Sequence, residues 1–163
     1  MTKKQILAMV RKLINDEQAT GFTEGGNLEE PEGTQELLNY LDRAVDEYSK
    51  ERANLKDSRL LKYITINNGD KVPADFLGFA GAIPVKIRGG VMNWLADEYS
   101  CEVAYFARLP YVTSYSDNEE LPYENDQRIK ITALAAIYAL NKQEFNVSQD
   151  LQLMGYGNGT AQQ

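Results

Sequence analysis

Leu60-Leu-Lys-Tyr-Ile-Thr-Ile-Asn-Asn-Gly69 is where the chain changes period. From Leu60 to Ile66, β-branched and aromatic residues crowd together as they do in strands. Asn68-Gly69 then supplies the positive-φ pair that a tight hairpin turn needs. Downstream, Ile83-Pro-Val-Lys-Ile-Arg88 reads as a second strand, Gly89-Gly90 as a turn, and Val91 to Ala96 as a third strand. From Ser100 to Arg108, Cys101, Val103 and Tyr105 alternate with Glu102 and Ala104, the period of a fourth strand. Pro73, Pro84 and Pro110 favour edges and bends over a fully paired centre. This block, about 60–110, is expected to form a small antiparallel sheet or barrel of three to five strands.

On both sides the apolar period is helical. A first helix is expected over about Lys3 to Glu17, with Ile6, Val10, Leu13 and Ile14 on one face. A second runs from a Thr34 N-cap to about Arg52, with Leu37, Leu38, Leu41, Val45 and Tyr48. The third, about Tyr123 to Lys142, carries little charge after Lys130 and is expected to be the most buried, through Ile129, Leu134, Ala135, Ile137, Tyr138 and Leu140. Asn146 or Ser148 would cap a short fourth helix containing Leu151, Leu153 and Met154. The sequence therefore predicts an α+β fold. An α-helical bundle of three main helices plus a short C-terminal helix would carry the small antiparallel β-sheet or barrel as an insertion. One domain, 1–154, would comprise a helical body (1–58 and 122–154) and the insertion, with 155–163 as a flexible tail. Leu41, Val45, Leu134 and Ile137 are the expected core.

Lys and Arg number 17 against 24 Asp and Glu in 163 residues, a net charge of -7. Gripping nucleic acid over the whole surface needs the opposite balance. The chain has no histidine and one cysteine, Cys101, so an internal disulfide, Cys/His zinc sites and His-dependent triads are excluded. Cys101 reads as a buried structural residue. The charge is concentrated: between Lys12 and Arg43 there are eight acids and no base, among them Glu24, Glu29, Glu30 and Glu32. Leu109 to Gln127 holds five acids, including Asp117, Glu119 and Glu120, and again no base. Such runs read as solvated loops. No nucleophile, base and orienting group can be assembled, so no enzyme, metal site or cofactor is expected. The longest uncharged apolar run, Ile131 to Asn141, falls short of the roughly 20 residues of a membrane span. Arg11 and Lys12 interrupt the first apolar stretch too early for a signal peptide. The chain reads as intracellular.

Four strings matter together and in order: Leu38-Asn-Tyr-Leu-Asp-Arg-Ala-Val-Asp-Glu-Tyr48, Val72-Pro-Ala-Asp-Phe-Leu-Gly78, Ala104-Tyr-Phe-Ala-Arg-Leu-Pro-Tyr111, and Leu134 to Asn141. They resemble those of the head–tail connector (neck adaptor) proteins of tailed bacteriophages and prophages, over roughly Gln35 to Met154. The acidic stretch before Thr34 has no counterpart in the resemblance. The resemblance implies a structural protein of the virion neck, assembled in the host cytoplasm. A homo-oligomeric ring of about a dozen copies would sit below the portal protein and meet the tail or stopper protein. Genome DNA would pass through the ring without specific binding. It also implies that the C-terminal segment docks on the portal, which here means Phe145, Val147, Asp150, Leu151, Leu153, Met154 and Tyr156. An acidic surface suits a channel through which DNA slides. One acidic loop, with Glu24, Glu29, Glu30 and Glu32 or with Asp117, Glu119 and Glu120, is therefore expected to face the lumen. The alternative is a small acidic intracellular chaperone or protein-interaction adaptor with no viral role.

Overall fold

Thr2 opens the first helix, α1 (Lys3–Leu13), with a capping box. Its hydroxyl accepts from the Gln5 backbone N–H, and its own N–H donates to the Gln5 side chain at 2.8 Å. Ile6 and Val10 are fully buried, and Asn15, at φ 56°, ends the helix before the expected Glu17. The computed structural model describes residues 1–15, 33–95 and 100–153. Gly33, at φ +77°, leads into α2 (Thr34–Asn54), and its carbonyl accepts from the Leu37 N–H. Thr34 is thus the first helical residue and not the cap. Its hydroxyl instead accepts from the buried Arg11 guanidinium at 3.0 Å.

Six strands follow: β1 (Leu61–Ile66), β2 (Asp70–Lys71), β3 (Phe76–Phe79), β4 (Val85–Arg88), β5 (Val91–Trp94) and β6 (Cys101–Ala107). They form two separate three-stranded antiparallel sheets, ordered β1-β6-β3 and β2-β5-β4. Gly89 and Gly90, at φ 57° and 76°, make the two-residue turn of the β4–β5 hairpin. Asn68-Gly69 turns the chain too, but it joins no hairpin: β1 pairs with β6 and β2 with β5. The sheets share one core, in which Ile66, Met92 and Val103 are buried with Phe79, Val85 and Trp94 packed against them. The Trp94 indole N–H donates to the Ile66 carbonyl at 3.1 Å across that core.

The third helix, α3, runs unbroken over Asn125–Leu153. The chain divides into two compact units, Met1–Ala44 with Tyr115–Gln163, and Val45–Ser114. No helix among the described residues is long and apolar enough to cross a membrane.

The α+β mixture holds, but the helical bundle with one inserted sheet does not. There are three helices among the described residues, not four, because no Gly or Pro interrupts Lys142 to Leu153 and helix simply propagates through Asn146 and Ser148. Only α1 and α3 run closely alongside each other; α2 meets them through a few side chains and continues beyond Ala44 into the second unit. Between β3 and β4 the Gly81 to Pro84 segment carries no strand pairing, and the strands on either side of it belong to different sheets. Cys101 is exposed, at the end of β6 opposite Ile66. Of the expected core, Leu41 and Val45 are fully buried, Leu134 is only half-buried, and Ile137 is 50% exposed.

Candidate functional site

The departure at Ile137 belongs to a larger feature. The inner face of α3 buries Ile131, Thr132, Ala135, Ala136 and Ala139. The small alanines let α1 approach closely. Tyr138 lies under the Arg43 guanidinium, 4.2 Å from its ring, and beside Tyr40 at 6.4 Å, while Lys142 pairs with Glu36. The Lys142 hydrogen bond, with the Tyr40 hydroxyl at 2.8 Å, holds the Glu36 carboxyl below the usual carboxylate range. These contacts fix α3 along one side.

The other side also carries apolar side chains that no described residue covers, with Glu144 interrupting them. Ile129, Ala133, Ile137, Leu140 and Val147 are all exposed, Val147 at 57%. Their spacing keeps them within an arc of about 80° at 100° per residue, as a stripe about 27 Å long. From Asn141 to Gln149 every residue is exposed, including Phe145 at 60%. A helix apolar on both faces is ordinarily buried on both; here the outer apolar side chains are exposed. Of the other residues expected to dock, Asp150, Leu151 and Leu153 fall in the last turn of α3, and Met154 and Tyr156 lie outside the described residues.

The second acidic loop is less loose than its composition implies. Lys3 pairs with Asp117 at 3.5 Å, and the amino terminus lies 3.7 Å from Glu120. Glu119 accepts from the Ser116 backbone N–H at 3.1 Å. Backbone bonds from Lys4 to Asp117 and from Leu121 to Met1 complete the link to the start of α1. Glu119 and Glu120 still present exposed side chains. Glu24, Glu29, Glu30 and Glu32 lie outside the described residues.

Three of the four strings, around Asp46, Asp75 and Arg108, also meet side chain to side chain. Arg108 donates to Asp46 at 3.4 Å and stacks 3.9 Å over the Tyr111 ring, and the Tyr111 hydroxyl donates to the same carboxylate at 3.0 Å. Asp75 accepts from Lys62 and from the Tyr105 hydroxyl at 3.1 Å, while its carbonyl accepts from the Arg108 N–H. Burial pushes the Asp75 carboxyl up, but the Lys62 ammonium and the Tyr105 hydroxyl outweigh it and leave it below its ordinary value. This polar node escaped the reading by motif. Its signal, Asp and Arg at regular places in otherwise apolar strings, was present in the residues quoted. No family model, curated protein or solved structure matches the chain.

Proposed function

We propose that the chain is a head–tail connector of a tailed bacteriophage or prophage. Copies form a ring below the portal, extend the DNA channel, and join the capsid to the tail or a stopper. The observation that carries the reading is the apolar outer face of α3, exposed from Ile129 to Val147. The portal is its partner, reached through Phe145, Val147 and the segment that follows. The order of the four strings, with the contacts between them, supports the same reading.

Magnitudes favour a ring over single copies. Full burial of a large apolar side chain contributes about 1.5–3 kcal/mol, so covering five half-exposed ones contributes about 5 kcal/mol per copy. Association alone costs about 4–15 kcal/mol. One copy would hold weakly, whereas copies joined in a ring share that cost. Portal rings from the same genome, mixed with the full chain and imaged, should gain a second stacked ring. A chain truncated after Asn146 should leave them bare. Absence of added density with the intact chain would favour the non-viral adaptor; a ring from both forms would remove the docking role of the C-terminal segment.

A further inference from the structure

The net charge of -7 resides in one unit. Val45–Ser114 holds nine acidic and nine basic side chains, whereas Met1–Ala44 with Tyr115–Gln163 holds fifteen acidic and eight basic. Within the neutral unit the charges are sorted by face. In the β2-β5-β4 sheet Lys71 and Arg88 both lie in register with Val91, and Lys86 lies in register with Asn93. Residues directly opposed share a face. Lys71, Lys86 and Arg88 therefore stand together on the face opposite to Val85, Met92 and Trp94, which pack into the core. All three are exposed, none has an ion-pair or hydrogen-bond partner among the described residues, and no acid occupies a register position on that face. Lys86 and Arg88 are about 7 Å apart along the strand, and Arg88 and Lys71 about 10 Å apart across the sheet.

We infer that this basic sheet face docks onto the acidic unit of a second copy of the same chain. Like charges so close repel one another unless an anionic surface covers them. Both β2 and β4 are edge strands, and a charge there blocks unwanted pairing. Lysine is the usual charge for that purpose, so edge protection is the competing account; a charge reversal keeps the edges charged and separates the two. A nucleic acid is also anionic, but the fifteen-acid unit on the same chain repels it. The contact is assigned to Glu119 and Glu120, adjacent exposed acids of that unit. Joining unlike surfaces makes the contact heterologous, so it repeats from copy to copy and closes into a ring or extends as a filament. The inference deepens the ring reading and rests on it only for closure. It also removes the Asp117–Glu120 turn from the lumen.

The test uses the full chain without the portal, followed by sedimentation over a range of concentrations. The Debye length is about 30 Å at 0.01 M salt and about 3 Å at 1 M. Self-association is expected at the lower salt and lost at the higher. Lys86→Glu with Arg88→Glu should weaken it at least about tenfold. Adding Glu119→Lys and Glu120→Lys to the same chain should restore it, with circular dichroism confirming that each variant folds. A chain monomeric at every concentration in low salt would overturn the inference. So would association indifferent to the reversal, a four-fold variant that stays monomeric, or a monomer that binds duplex DNA through this face. A monomer that still docks on portal rings through α3 would lose this contact and keep the connector reading.

Discussion

The two faces of α3 carry similar residues and meet opposite environments. Ile131 is fully buried, while Ile129 and Ile137, two positions before it and six after, are half exposed. Side-chain type therefore does not decide which isoleucine stabilises the fold; the position of α1 and the anchors at Tyr138 and Lys142 do. Among the described residues, α3 is covered along one side only. The difference separates the α3 residues that pack within the fold from those that stay exposed.

The sharpest way to break that separation is to put a charge on each face. Ile131→Asp buries an unpaired carboxyl and should cost more than about 4 kcal/mol, enough to abolish a cooperative thermal transition. Ile137→Asp should change stability by less than about 0.5 kcal/mol. Equal losses in the two variants would erase the distinction between the faces.

Contrast between the units supplies smaller effects. Arg108→Ala removes the partner of Asp46 and the cation over Tyr111, and should lower stability by about 1–3 kcal/mol in urea unfolding. A loss below the error of that measurement would show the node to be incidental. Asp75 has a lowered folded-state pKa, so its stabilising contribution is present above its unfolded value near 3.9 and is lost as pH falls through the folded value. The acid limb of the stability curve should accordingly be shallower in Asp75→Asn than in the parent chain. An unchanged limb would remove Asp75 from the linkage. The smallest change concerns Tyr48, 1% exposed, whose hydroxyl has no hydrogen-bond partner among the described residues. Tyr48→Phe should be neutral or stabilising by up to about 1 kcal/mol. A loss larger than that would reveal a hidden partner for the hydroxyl.

Local signals read well where one residue pair decides the geometry. Gly89-Gly90 makes the turn its composition implies, and the stripe from Leu37 to Tyr48 faces the interior as its spacing requires. What stayed illegible depends on distant residues. β3 is four residues with a glycine inside, too short to show a period, and it forms by pairing with β6 almost thirty positions away. The Asn68-Gly69 turn was visible, but nothing local tells that β1 takes β6 as its partner. From Ile131 to Leu140 α3 is apolar nearly all round, so the period there does not choose which face is buried, and the expectation for Ile137 falls on the wrong one. For the candidate site, Phe145 and Val147 enter through the resemblance alone, whereas the exposed stripe behind them emerges only once the other face of α3 is covered. Lys71, Lys86 and Arg88 are scattered in sequence and share a face only through register.

The connector reading is tested most directly by the outer face itself. The full chain and an Ile137→Asp, Val147→Asp variant, both folded by circular dichroism, would be mixed with portal rings from the same genome and imaged by electron microscopy. A second ring with the parent chain, and bare portals with the variant, is the predicted result. No ring with the parent chain, or an equal ring with the variant, would contradict the account.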